Sequence, residues 1–138
     1  MRFLALILTF VAAPVWANAC ESHFRAGLRA GAPLDARLAA IESTLYHGLG
    51  WVNRSTVLER LENRSALTTA CQEIDALQAE VLAVQRRLGE AERSFRLAAS
   101  LCWGVNRARA ERNLDALQDS ARAAGDLSGY LASLAQRC

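Results

Sequence analysis

Four cysteines are the residues of this 138-residue sequence best suited to chemistry. A C-x-x-C motif would indicate thiol–disulfide redox catalysis and C-x-x-C-H a covalently attached haem, and the sequence contains neither. A zinc site needs clustered ligands, whereas these cysteines are spread along the chain and only His23 lies near one of them. The sequence therefore predicts no metal site and no cofactor. The residues predicted to form structural disulfides are Cys20, Cys71, Cys102 and Cys138.

The pairing of these cysteines depends on whether one long helix is continuous. The apolar repeat passes Gly89 without a slip, and Gly89 itself falls among polar residues, so we expect the helix to continue through it. Cys71 and Cys102 would then lie about 46 Å apart, at 1.5 Å per residue, and could not bond. A reversal near Gly89 would instead bring them together. With a continuous helix, we expect the pairs Cys20–Cys71 and Cys102–Cys138.

A segment rich in aromatic residues and glycine, residues 46–51, is the candidate binding loop. Binding residues often collect on flexible loops of this composition. The alternative is a helix C-cap at one of the glycines, with the apolar side chains folded back on the core. A further tryptophan, Trp103, directly follows a cysteine, and we expect it to pack in the core. The candidate binding residues are Tyr46, His47, Leu49 and Trp51.

No pattern in the sequence indicates catalysis. The two histidines, His23 and His47, do not form the H-x-x-x-H or H-E-x-x-H spacing of a metal site. G-x-S-x-G, phosphate-loop and dinucleotide-binding motifs are also missing from the sequence. Acids such as Glu73, Glu80 and Glu90 mostly fall outside the apolar repeat and are mixed with arginines, as on a solvated helix face. We therefore do not expect an enzyme.

The strongest structural pattern is an apolar repeat at steps of three and four residues, which is typical of a helix with one buried face. This spacing would also suit a coiled-coil homodimer through the long helix. The alanines of the repeat, Ala70, Ala91 and Ala98, instead favour close packing of the long helix within a bundle. The repeat comprises Leu67, Ala70, Ile74, Leu77, Val81, Val84, Leu88, Ala91, Phe95, Ala98, Cys102 and Val105.

Shorter apolar repeats predict more helices on both sides of the long one. Gly31 and Pro33 separate the first two, a capping box at Thr56 and Glu59 marks another start, and Gly125 is expected to end a helix. No segment alternates with the period of a strand. We expect an all-α fold: an antiparallel bundle of four or five helices, braced by two disulfides, with one long helix that begins near residue 56 or 65 and ends near 102. The shorter helices are expected over about 21–30, 33–45, 106–125 and 126–138.

The N-terminal residues resemble a secretory signal peptide. Arg2 precedes an apolar run over residues 3–16, and Ala17-Asn18-Ala19 provides an A-x-A cleavage site before Cys20. The run is shorter than the roughly 20 residues of a transmembrane helix. We expect residues 1–19 to be removed and 20–138 to form a single helical domain, in the periplasm of a Gram-negative bacterium or secreted. The alternative is a lipoprotein anchored at Cys20.

Charge and composition narrow the choice of partner. All sixteen basic residues are arginine, and they are interspersed with fourteen acids. Nucleic acid and acidic membrane surfaces are therefore not expected as partners, nor is stable membrane insertion after signal cleavage. We expect a non-catalytic protein that binds another envelope protein, as an inhibitor, immunity factor, adaptor or chaperone-like scaffold. The alternative is a small-molecule or metal binder that uses the bundle interior, and an enzyme ranks below both.

Overall fold

A computed structural model describes the backbone of residues 5–48 and 64–138, and the side chains of residues 16–46 and 69–138. These ranges are helical, with no strand, and they contain two disulfides. The prediction of an all-α, disulfide-braced chain is therefore confirmed. Its helices are α1 (Ala5–Gly31), α2 (Leu34–Ser43), α3 (Arg64–Leu101) and α4 (Gly104–Ala135), and a π-helical turn, Thr44–Gly48, follows α2.

The chain forms two compact units, each built from two separate stretches. The first combines the chain up to Ala32 with Leu88–Gln118, and the second combines Pro33–Arg87 with Asp119–Cys138. Each unit contains one disulfide. The expectation that residues 20–138 form one domain stays a prediction. Within the described ranges, no helix has the length and apolar character needed to cross a membrane.

The long helix is continuous, as predicted. α3 passes through Gly89 without interruption, and a Cβ at this position would meet only the end of the Arg93 side chain, at 3.7 Å. The earlier start considered near Thr56 lies outside the described residues. Within the described part of the predicted repeat, the residues that are buried are Ala70, Ile74, Leu77, Val81, Val84, Leu88, Ala91, Phe95, Ala98 and Cys102.

The predicted break at Gly125 is wrong. α4 runs from Gly104 to Ala135 through this position, and Gly125 does not have a positive φ. The helix continues because its apolar side chains on both sides of the glycine, Ala124 and Leu131, are fully buried. Their burial outweighs the roughly 1 kcal/mol by which glycine disfavours a helix relative to alanine.

The expected disulfide pairs, Cys20–Cys71 and Cys102–Cys138, are wrong. The structure has Cys20–Cys102 and Cys71–Cys138, with Cα–Cα distances of 5.0 and 5.8 Å. The continuity of α3 excludes a Cys71–Cys102 bond but allows two other pairings, and helix packing selects between them. In the first unit, α1 runs antiparallel to the end of α3. Cys20 bonds to Cys102, and Phe24, one turn further along α1, contacts Phe95, two turns earlier in the chain.

In the second unit, α2 lies against both α3 and α4. Ser120 of α4 donates a hydrogen bond of 2.7 Å from its hydroxyl to Asp35 Oδ1, and Arg37 Nη2 lies 3.8 Å from Glu80 Oε2 on α3. The sequence predicted one apolar face that covers α2 and the turn after it, and this face is confirmed. Its four residues are all buried: Leu34, Leu38, Ile41 and Leu45.

Candidate functional site

The core of the first unit is built around two phenylalanines from α1 and α3. The rings of Phe24 and Phe95 meet edge to face, with centroids 5.6 Å apart and planes at 73°. Arg109 of α4 places its guanidinium carbon 5.2 Å from the centroid of the Phe24 ring. Phe24 of α1 therefore contacts the other two helices of this unit, α3 and α4. Buried with the two phenylalanines are Cys20, Ala98, Cys102 and Ala110.

The turn between α3 and α4 lies directly beyond this core. The amide of Cys102 still donates a helical hydrogen bond, 2.7 Å long, to the carbonyl of Ala98. Gly104 then adopts φ +56°, in the left-handed region that suits glycine, and α4 begins there. The disulfide holds Cys102 in the core, so the position and direction of this turn are fixed by α1 as well as by α3.

Trp103 lies outside the core, and the expectation that it packs inside is wrong. Its side chain is 86% exposed, and Val105, the last residue of the predicted apolar repeat, is 70% exposed. Successive residues on a helix are separated by about 100°, so only Cys102 continues the buried face. The turn at Gly104 then moves Val105 off that face. The two side chains are consequently left at the surface of the turn.

An apolar groove of about 490 Å³ adjoins the turn. Its walls come from both sides of the Cys20–Cys102 disulfide. Two polar residues, Glu21 and Asn106, also line the groove. Glu21 forms an ion pair with Arg25, in which Glu21 Oε1 lies 2.6 Å from Arg25 Nε. The residues that line the groove are Trp16, Ala17, Cys20, Glu21, Leu101, Cys102, Trp103 and Asn106.

The groove and the turn together form one apolar area on the first unit. Trp16 is 56% exposed, and Leu101 is half-buried. We call the set Trp16, Leu101, Trp103 and Val105 the Trp103 surface. Apolar side chains in solvent are ordinary when scattered, but an exposed tryptophan beside a groove is the arrangement found where proteins bind other molecules.

Two of the four residues predicted from the sequence to bind fall within the described backbone, and neither lines the groove. Tyr46 is half-buried in the π-helical turn, and the backbone of His47 belongs to the same turn. Leu49 and Trp51 lie outside the described residues. A signal for the groove was present in the sequence, since a tryptophan and a glycine immediately follow Cys102, the buried cysteine directly after the last residue of α3.

The described side chains include no group of three or more residues able to hold a metal ion. Several acids form ion pairs with arginines one helical turn away, such as Glu92 with Arg96 at 2.6 Å and Glu111 with Arg107 at 2.9 Å. Glu73 differs, because its Oε2 atom is buried and accepts no hydrogen bond from the described residues. The groove, rather than a charged cluster, is thus the feature best suited to binding.

Comparisons of the chain with protein-family models, curated proteins and solved structures give no match.

Proposed function

We propose that this chain is a non-catalytic, exported protein that binds another envelope protein through the Trp103 surface. In this proposal, residues 1–19 are a cleaved signal peptide, and residues 20–138 form an antiparallel bundle of four or five helices in the periplasm or outside the cell. The partner places an apolar or aromatic side chain in the groove beside the disulfide.

The observation that carries the proposal is the exposure of Trp103. A tryptophan that is 86% exposed leaves a large apolar area in water, and covering it with a partner would be favourable. Tryptophan is among the residues that contribute most to binding at protein interfaces. Val105, next to it in the turn, adds a second exposed apolar side chain.

The turn is also held in place before a partner arrives. The Cys20–Cys102 disulfide ties the turn to α1, and the contact between Phe24 and Phe95 fills the core behind it. A surface that is already ordered loses less conformational entropy on binding. The rigid support under an exposed tryptophan therefore favours a docking role over a purely structural one.

Signal cleavage before Cys20 would change this surface without dismantling it. Trp16 and Ala17 would be removed with the leader, while the remaining lining residues, including Leu101 and Trp103, would stay. The groove would then be more open on the side that Trp16 covers. In the mature chain, a partner's side chain can take the place of Trp16.

The disulfides support an oxidising compartment, where such bonds form and persist. They also bear on the lipoprotein alternative. A lipid thioether on Cys20 and the Cys20–Cys102 disulfide exclude each other, because both require the same sulfur atom. We therefore favour cleavage without lipidation.

A second candidate function is small-molecule binding. With Trp16 and Ala17 in place, the groove has a volume of about 490 Å³, within the roughly 300–1,000 Å³ of ligand pockets, and its lining is mostly apolar. This candidate function therefore belongs to the chain that keeps these two residues. An apolar compound that orients its polar atoms towards Asn106 would fit this chemistry. This site lies at the surface beside Trp103, whereas the interior of the bundle was the site expected from the sequence.

The proposal can be tested by placing a photocrosslinking amino acid at position 103 in the source organism. A variant with the same group at Arg112, an exposed position on the α4 surface of the same unit, is the matched control. We expect a protein adduct from position 103 that is absent from position 112. Val105→Asp in the crosslinking chain should abolish the adduct, because it places a charge in the interface.

Two results would contradict protein binding. The first is no protein adduct at position 103 in a chain whose far-ultraviolet circular dichroism is unchanged. The second is an adduct of equal yield at positions 103 and 112. If native mass spectrometry of the purified chain instead shows a retained small molecule that Leu101→Asp displaces, the second candidate function replaces the first.

A further inference from the structure

The two disulfides do not join neighbouring cysteines in the chain. The first cysteine pairs with the third and the second with the fourth, at sequence separations of 82 and 67 residues. Two non-native pairs, Cys20–Cys71 and Cys102–Cys138, which we call the consecutive pairs, would need loops of only 51 and 36 residues. The middle pair, Cys71–Cys102, would need only 31 residues in an unfolded chain. The native connectivity therefore requires the longer loops.

An unfolded chain closes short loops more readily than long ones. Each consecutive pair shares one cysteine with each native pair. Because closure probability falls as the 3/2 power of loop length, a consecutive pair should form about 1.5- to 3.5-fold more often than the native pairs with which it competes. Export adds to this bias, if the chain is exported as we propose. Cys20 and Cys71 reach an oxidising compartment before Cys102 and Cys138 do.

The consecutive pairs cannot coexist with the native pairs. Each would use one sulfur atom of the Cys20–Cys102 disulfide and one of the Cys71–Cys138 disulfide. Folding of the first unit also buries both of its cysteines, with Cys20 7% and Cys102 4% exposed. Rearrangement must therefore take place before this unit packs, while its sulfur atoms can still be reached by a thiolate.

We propose that this chain is a substrate of a protein disulfide isomerase, an enzyme that presents a nucleophilic thiolate to misfolded, apolar chains. The inference rests on export to an oxidising compartment and does not depend on the Trp103 surface. It assigns a partner that acts during folding, in addition to the partner proposed for the folded protein.

The exchange needs no net oxidant. The isomerase thiolate attacks the Cys20 sulfur of a Cys20–Cys71 disulfide, which forms a mixed disulfide with Cys20 and releases the Cys71 thiolate. That thiolate attacks Cys138 in the Cys102–Cys138 disulfide, which forms Cys71–Cys138 and releases the Cys102 thiolate. The Cys102 thiolate then attacks Cys20 in the mixed disulfide, which forms Cys20–Cys102 and returns the isomerase thiolate.

The test starts from the reduced, unfolded full-length chain. It is oxidised with a purified bacterial disulfide oxidase, alone or together with a purified periplasmic disulfide isomerase, and the pairs are mapped by mass spectrometry after alkylation at low pH. With the oxidase alone, we expect at least a twofold excess of Cys20–Cys71 over Cys20–Cys102 at early times. The isomerase should reverse this ratio.

Two double variants serve as controls. Cys20→Ser with Cys102→Ser leaves one pair available, as does Cys71→Ser with Cys138→Ser, so the isomerase should not change the yield of either remaining disulfide. The readout is the bond itself, so it does not require either variant to fold. Formation of both native pairs by the oxidase alone, at the yield seen with the isomerase, would overturn the proposal. That failure would leave protein binding at Trp103 standing, whereas failure of the crosslinking at position 103 would leave the isomerase proposal standing.

Discussion

Gly27 of α1 lies directly against the ring of Phe95 on α3. A Cβ added at Gly27 would be 2.8 Å from Phe95 Cε1 and 2.9 Å from two further ring atoms. Carbon atoms in contact are normally about 3.5–4.0 Å apart. The absence of a side chain at Gly27 is thus what allows α1 to approach the phenylalanine behind the Trp103 surface.

Gly27→Ala should therefore lower the free energy of unfolding by about 1–3 kcal/mol, because the added methyl group forces the Phe95 ring or the helix to move. Urea denaturation monitored by circular dichroism measures the change. Gly31→Ala is the matched control, since its Cβ would meet Ala91 and Leu117 at an ordinary 3.6 Å, and it should not destabilise the chain. Phe95→Leu should cost less in the Gly27→Ala chain than in the wild type. Strict additivity of the two substitutions would contradict the steric account.

Much of the fold follows from the spacing of apolar residues. The three- and four-residue steps from Ala70 to Cys102 identify one face of a helix, and in the structure each of these residues is buried. The apolar repeat also keeps its phase through Gly89, and this predicted that α3 continues past the glycine. Pro33 likewise marked the start of α2.

The disulfide pairs and the position of Trp103 could not be obtained in this way. Periodicity shows which face of a helix is buried but not which helix covers it, so the contact of Cys20 with Cys102 depends on tertiary packing. Trp103 was placed in the core because it is large and apolar and lies next to a buried cysteine. Its exposure results from the end of α3 and the positive φ of Gly104, a change in chain direction that helical spacing does not encode.

Two of the glycines of α4, Gly104 and Gly125, should respond oppositely to alanine. Gly104→Ala should destabilise the chain by about 1–2 kcal/mol, because φ +56° is unfavourable for a residue with a Cβ. The cost is conformational, since the added Cβ would meet no atom within 4 Å. Gly125→Ala should stabilise the chain by up to about 1 kcal/mol, because Gly125 is helical and equally open. Thermal unfolding of both variants measures these changes, and stabilisation by Gly104→Ala would contradict the turn geometry.

The two disulfides should differ in their resistance to a soluble thiol. Cys138 is exposed and Cys71 half-buried, whereas Cys20 and Cys102 are buried. A thiolate must reach a sulfur atom to open the bond, so Cys71–Cys138 should be reduced first in the folded full-length chain, in which the residues before Cys20 are present. Brief treatment with dithiothreitol, alkylation and mass spectrometry give the order. Addition of urea is the control, because unfolding should remove the difference, and reduction of Cys20–Cys102 first without urea would be inconsistent with its burial.

The most direct test of the whole account is a tryptic map, without reduction, of the protein isolated from its source. Trypsin cleaves after arginine and places each cysteine on a separate product. These products are residues 20–25, 65–86 and 97–107, and the single residue Cys138. The first peptide begins at residue 20 if the leader is removed and would extend over residues 3–25 if the leader is retained. We expect 20–25 bonded to 97–107, and 65–86 bonded to Cys138. A bond between 20–25 and 65–86 would contradict the packing of α1 against α3 and, with it, the Trp103 surface.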